Sequence, residues 1–170
     1  MSNLSELNSL LAADAVLLCG VSGSGKTRLA KKLERAGFHR ISIDGLVDLR
    51  YGHEFDNMSP ELRKAAYNEA HSAAAAELER LLSEGRKVVI DGSMCKRAKR
   101  DMMREVCRRC GVEALTVFLD ATFETLSGRL SGRRDSGPDD RTVSTGELKT
   151  FLANFERPTP DEHTLIMLQQ

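Results

Sequence analysis

Short apolar runs alternate with amphipathic stretches along this chain. Residues 15–19 (AVLLC) form one continuous apolar run, and Val88, Val89 and Ile90 form another within 87–91. Neither run is broken by alternating polar residues, which is the habit of parallel strands buried on both faces. Residues 39–43, 114–119 and 164–168 predict three further strands. Helical patterns lie between them. The first runs to about Ala36, where Gly37 can cap it. Residues 44–57 read as irregular. Ser59 and Pro60 then provide an N-cap and a first-turn proline for a helix through the alanine tract to about Ser83, stopping near Gly85. A basic helix reaches Cys110, and Thr122 caps another through Leu130. Ser144 and Glu147 form a capping box, followed by Leu148, Phe151, Leu152 and Phe155 on one helical face, with Pro158 and Pro160 beyond. Five strands separated by helices predict a three-layer α/β domain with a parallel sheet.

Composition narrows the class. The 170 residues suggest one domain with an ample core, and no repeat or linker divides them. Lys plus Arg number 25 and Asp plus Glu 25, so no global basic field draws the chain to nucleic acid. No run of about 18 apolar residues predicts a membrane span. The N-terminal stretch is weakly apolar, but Asp14 and the lack of a basic start argue against a secretory signal. Four scattered cysteines fit a reducing, cytoplasmic setting. Cys107 and Cys110 make a lone C-x-x-C inside a helical stretch. A zinc site would want a second pair, so a helix face is the expectation.

The chemistry starts between the first strand and the first helix, where residues 20–27 read G-V-S-G-S-G-K-T. This fits the phosphate-binding pattern G-x-x-x-x-G-K-[ST] in its required strand–loop–helix setting. Glycines let backbone N–H groups wrap phosphate oxygens, and the helix N-terminus favours an anion. Gly20, Ser22, Gly23, Ser24, Gly25, Lys26, Thr27 and Arg28 are therefore candidate nucleotide-binding residues. Lys26 is placed to reach the β- and γ-phosphates, and the Thr27 hydroxyl can ligate Mg²⁺.

In a parallel sheet the working groups gather at the carboxyl ends of the strands. Asp44 ends the second predicted strand and suits a general base. Asp91 ends the third and suits the magnesium side of the site. Arg129, Arg133 and Arg134 follow the fourth, where a cation could neutralise charge on a transferring phosphoryl group. Capping and surface roles are the structural alternatives for each. Residues 45–59, with Arg50, Tyr51, His53 and Glu54, are expected to shape an acceptor pocket.

Together these pieces resemble the P-loop kinases of the polynucleotide-kinase and zeta-toxin type, and small-molecule kinases such as gluconate kinase. The matching pieces are G-V-S-G-S-G-K-T at Gly20, I-S-I-D at Ile41, V-V-I-D-G-S at Val88 and V-F-L-D-A at Val117. G-R-L-S-G-R-R at Gly128 resembles a lid, spanning about 128–141, and F-E-R-P-T-P-D-E at Phe155 resembles a closing motif. The resemblance covers nearly the whole chain. It implies a sheet of order 2-3-1-4-5, ATP and Mg²⁺ as cofactors, and transfer of a phosphoryl group to a hydroxyl. It maps the general base onto Asp44 and the lid arginine onto Arg133, with Arg129 the second candidate.

Polynucleotide kinases carry, three residues after that Asp, an Arg that engages the substrate phosphate. Here that position is Val47, and Arg50 is out of register. The net charge is also neutral, so a small-molecule acceptor is favoured over a 5′-hydroxyl polynucleotide. Lys96, Arg97, Lys99, Arg100, Arg104, Arg108 and Arg109 interleave with apolar residues as on a solvated amphipathic helix. Arg100 is the one that could instead point to the site. No N-K-x-D run is present for guanine recognition. A non-catalytic ATP-binding module is the remaining alternative, and Asp44 is the residue such a module would not need.

Overall fold

The computed structural model describes residues 4–137 and 141–170. Five strands, β1 (Ala15–Cys19), β2 (His39–Ser42), β3 (Val88–Asp91), β4 (Ala114–Ala121) and β5 (Thr164–Gln169), form one all-parallel sheet in the order β2-β3-β1-β4-β5. Every residue of β1 and β3 is buried, as their unbroken apolar runs predict. Parallel pairing requires crossovers, and helices supply them on both faces.

On one face pack α3 (Ile43–Tyr51), α4 (Pro60–Ser83) and α5 (Arg97–Arg109), joining Leu17, Ile90 and Phe118 of the sheet to Ala74, Leu78 and Met103. On the other pack α1 (Leu4–Ala12) and α2 (Lys26–Arg35), where Leu10 and Leu33 meet Val16, Val89 and Val117. A third apolar cluster of Val21, Leu126, Leu130 and Leu148 lies beside the glycine loop and brings in α6 (Phe123–Leu130) and α7 (Thr145–Asn154). Sequence-predicted caps are in place. Ser59 Oγ accepts from Leu62 N, Thr122 Oγ1 from Thr125 N, and the Ser144–Glu147 box is complete.

Two expectations are corrected. The second strand stops at Ser42, so Asp44 does not end a strand but lies in the first turn of α3. Ser42 is an N-cap whose hydroxyl accepts from Gly45 N at 3.0 Å, and Ile43 and Val47 recur at i and i+4 as buried residues. Residues 44–57 are accordingly not irregular but α3 followed by a 3₁₀ turn, Gly52–Asn57. Leu4–Ala12 is a helix, docked by Leu10. Residues 131–137 have no helix or strand, and 138–140 of the expected lid lie outside the described residues.

Arg100 is also corrected. It does not point to the glycine loop but is fully buried in an ion pair with Glu162, with Nε to Oε2 at 2.6 Å and Nη2 to Oε1 at 3.1 Å. Its remaining amine donates to Met94 O at 2.8 Å. Glu162 also accepts from Thr159 N. The other arginines of α5 pair with acids, and Lys99 donates to Asn68 Oδ1 at 2.8 Å. Arg97 meets Asp101 and Asp161, Arg108 meets Glu105, and Arg109 meets Glu79. Cys107 is in the core, where burial pushes its thiol up to about 12. Among the described residues no helix is long and apolar enough to cross a membrane.

Removing one partner of a buried ion pair strands the other charge. Glu162→Ala is expected to lower unfolding stability at neutral pH by about 3–5 kcal/mol, read as a lower urea midpoint. Burial alone would raise the Glu162 pKa, but Arg100 and the Thr159 amide outweigh it and hold it below the ordinary 4.5. The folded chain therefore binds that proton less readily than the unfolded chain. The pair's contribution is fully present above 4.5 and is lost as pH falls through the lower folded-state value, so wild type should lose more stability there than Glu162→Ala.

Candidate active site

The glycine loop leaves β1 and turns directly into α2. Gly20 adopts φ +152, and a Cβ there would sit 2.6 Å from Ser24 Oγ and 3.0 Å from Leu119 O. Gly25, at φ +99, is the N-cap of α2 and provides no side-chain cap, so amides at the start of α2 face outward as anion donors. Ser24 is fully buried. Lys26 Nζ donates to Val21 O at 2.9 Å and approaches Ser24 Oγ at 3.5 Å. Burial pulls its pKa down, opposed by Asp91 and then Asp44.

Thr27 Oγ1 donates to Asp91 Oδ1 at 3.4 Å. The other Asp91 oxygen accepts from Arg40 Nε at 2.9 Å and Nη2 at 2.6 Å. Arg40 reaches Asp91 because β2 and β3 run in register, with Ser42 beside Asp91. Burial nevertheless raises the Asp91 pKa, with Arg40 and Lys26 opposing.

Two cavities open on this region. One, of about 370 Å³, is lined by Gly23, Gly25, Lys26, Thr27, Arg28, Arg129, Gly132 and Arg133. The second, of about 640 Å³, lies between the α3–α4 region and the segment leading into α7, with Ser22, Asp44 and Tyr67 among its walls. Arg133 lines both cavities. The glycine loop also divides between them, with Gly23 and Gly25 facing one and Ser22 the other.

The two lid arginines differ in use. Arg129 donates to Gly23 O at 3.2 Å and Gln170 O at 3.0 Å, so it clasps the loop from the side of the first cavity. Arg133 donates one amine to Arg141 O at 3.1 Å and stands at the junction. Arg134 is exposed and lines neither.

Asp44 is half-buried, and its Oδ1 accepts from the Tyr67 hydroxyl at 2.7 Å. Burial pushes the Tyr67 phenol far above its ordinary range, so it remains a donor. Its backbone carbonyl is bonded by His71 Nδ1 at 2.7 Å.

Of the four residues expected to shape the acceptor pocket, His53 lines the second cavity. Arg50 and Tyr51 turn away to Glu69 on α4, at 3.2 and 2.7 Å, and Glu54 is exposed outside the lining. Phe55, Arg63, Tyr67 and Arg141 are lining residues that the sequence did not single out. A helical reading of 43–51 would have placed Asp48 on the side of Asp44, but Tyr67 lies 23 positions from its partner and carries no local signal.

Comparison with known proteins agrees with this fold. The profile of the AAA domain family matches residues 16–158. A curated relative, the "Nucleotide-binding protein" of Paracidovorax citrulli (strain AAC00-1), is 30% identical over 146 residues, covering 84% of this chain. The chain spans only 42% of that relative's length. Among solved structures, a gluconokinase from Sinorhizobium meliloti 1021 superposes with TM-score 0.63 at 24% identity, over 91% of this chain and 81% of that one. Chaetomium thermophilum Kti12, solved with ADP-AlF3, superposes with TM-score 0.67 at 18% identity, over 91% and 88%. At such identities the likeness is one of fold. The parallel sheet and its strand order are common ground, and the chain belongs to the AAA domain family.

Proposed function

We propose that this chain is a phosphotransferase that moves the γ-phosphoryl group of Mg-ATP to a hydroxyl of a small molecule. The observation that carries this reading is the pair of cavities meeting at Arg133, with the glycine loop and Lys26 on one side and Asp44 on the other. A module that only binds nucleotide has no need of a second cavity with such a carboxylate in its wall.

Lys26 and the loop amides would hold the β- and γ-phosphates, and Arg133 would follow the phosphoryl group as it crosses. Asp44 would take the acceptor's proton. Its Oδ1 is already engaged by Tyr67, which leaves Oδ2 to accept from the incoming hydroxyl. Thr27 and Asp91 fit a magnesium ion. Their oxygens lie 3.4 Å apart, they are hard donors, and Arg40 fixes the carboxylate so that one oxygen stays on the Thr27 side. When bound there, the ion would neutralise charge on the β- and γ-phosphates.

Paired charges along α5 and the absence of a cation at position 47 favour a small molecule over a 5′-hydroxyl polynucleotide. The gluconokinase likeness points the same way.

The test is a transfer screen with Mg-ATP over sugars, nucleosides, antibiotics and 5′-hydroxyl oligonucleotides, with Asp44→Asn run beside wild type. Loss of a general base typically slows transfer by about 10²–10⁴-fold, while ATP binding should be nearly unchanged. Transfer by Asp44→Asn at the wild-type rate would refute the assignment, and transfer only to oligonucleotides would replace the acceptor class.

Tyr67→Phe should keep the fold and the ATP affinity but lower kcat by about 10-fold, the worth of one hydrogen bond to a charged group. In an Asp44→Asn background the same change should cost much less, because the carboxylate it positions is gone. Equal costs in the two backgrounds would make Tyr67 merely structural.

A further inference from the structure

Three arginines reach the second cavity, and phosphoryl transfer accounts for one of them, Arg133. Arg63, in the first turn of α4, and Arg141, just before α7, line the same 640 Å³ space as Asp44. Their guanidinium groups lie over the buried ring of Phe55, 5.3 and 4.8 Å from its centroid. Phe55 in turn meets the Tyr67 ring edge-on, with centroids 5.7 Å apart. That is the tyrosine whose hydroxyl holds Asp44. Burial holds the Tyr67 phenol high, and the charges of Arg141 and Arg63 pull against it, so both cations are within electrostatic reach of that hydroxyl.

The acids around the cavity are largely committed. Asp135 accepts from Thr142 N and Oγ1 at 2.7 and 2.9 Å, and Glu147 accepts from Ser144 N at 2.7 Å. Arg63 donates to the backbone oxygen of Asp56 at 2.6 Å; its charge reaches Glu147, but among the described residues no carboxylate stands within ion-pair distance of it. Arg141 has two, but at 3.5 Å from Asp56 and 3.9 Å from Asp48 both are longer than a charge-assisted hydrogen bond of about 2.7–2.9 Å. Two forked donor groups therefore stand on an apolar ring with bonding capacity to spare. A guanidinium matches a carboxylate or a phosphate with two parallel bonds, and an apolar floor strengthens them. Meanwhile α3 contributes no cation at position 47, because Val47 is buried in the core.

We infer that Arg63 and Arg141, set over Phe55, form an anion subsite for the acceptor, so that the molecule phosphorylated is a hydroxyl compound bearing a carboxylate or phosphate group elsewhere. The inference rests on the second cavity being the acceptor site. It differs from the transfer reading in what it requires, because an anion can bind here whether or not a phosphoryl group moves.

The experiment uses matched pairs differing only in the charged group. Gluconate is set against glucitol and a hydroxyaryl acid against its methyl ester for the carboxylate arm. A nucleoside monophosphate against its nucleoside, and a sugar phosphate against its sugar, form the phosphate arm. Binding to wild type in the presence of MgADP is measured by calorimetry, and transfer from Mg-ATP is measured in parallel. In at least one arm the charged member should bind about 10- to 100-fold more tightly than its neutral counterpart, and the arm that responds identifies the anion. Arg63→Gln and Arg141→Gln should each shrink that preference by about 10-fold or more, and Arg63→Lys should restore part of it. If charged and neutral members bind alike in both arms, or the preference survives both glutamine variants, the subsite is refuted. If charged members bind selectively and none is phosphorylated, the subsite stands and the kinase reading falls.

Discussion

Arg100 and Glu162 are both sealed from water, and each is tolerable there only because of the other. Their pairing dictates much of the geometry at the carboxyl end of the sheet. Arg100 reaches from α5 to hold Met94 O, and the Cys19 thiol donates to that same carbonyl at 3.5 Å. One residue earlier, Ser93 O accepts from Gly20 N at 3.1 Å. The turn after β3 is thus pinned from below by a charge and bonded from above to the first amide of the glycine loop. Met94 itself sits at φ +44, a left-handed conformation that methionine adopts only under such constraint. Through Glu162 the same pair ties down the chain that enters β5. The ion pair does no chemistry, but it fixes the floor on which the phosphate loop rests.

Above that floor, the sheet decides what can meet. With β1 at the centre, the glycine loop emerges between the ends of β3 and β4. Asp91 comes from one side, and α6 with its following arginines comes from the other. The early end of β2 then matters most. Ser42 caps α3 at once, so Asp44 is presented from a helical turn, which is a more rigid mount than a loop. Tyr67, from the middle of a 24-residue helix, locks its carboxylate. A carboxylate held from two helices shares a cavity with Ser22 of a loop held by a buried ion pair, and Arg133 lines both cavities.

Local signals carried a good part of this architecture. The apolar runs at 15–19 and 88–90, the capping residues Ser59, Thr122 and Ser144, and the glycine-loop pattern each depend on neighbours within a few residues, and each is where the sequence placed it. Strand order came from resemblance, since periodicity alone contains no pairing information. Residues 43–51 failed because α3 is only weakly amphipathic and its cap, Ser42, was absorbed into an apolar-looking strand. Arg100 was misplaced because its interleaving with apolar residues was taken for a surface face, while its partner Glu162 lies 62 positions away. Separation in sequence likewise hid Tyr67, Arg63 and Arg141. The second cavity is assembled from the glycine loop, α3, the 3₁₀ turn, α4, the segment after α6 and α7, and leaves no compact motif.

On the proposed reading, Arg133 acts on the phosphoryl group in flight and not on resting nucleotide. ADP with aluminium fluoride mimics the transferring group, so binding of ADP alone and of ADP–aluminium fluoride should be compared in wild type and Arg133→Ala. A contact realised in the transition state predicts ADP affinity within a few-fold of wild type. It also predicts a loss of about 100-fold or more for the fluoride complex. Equal loss for both ligands, or no loss for either, would contradict the account and leave Arg133 as a wall of the nucleotide cavity alone.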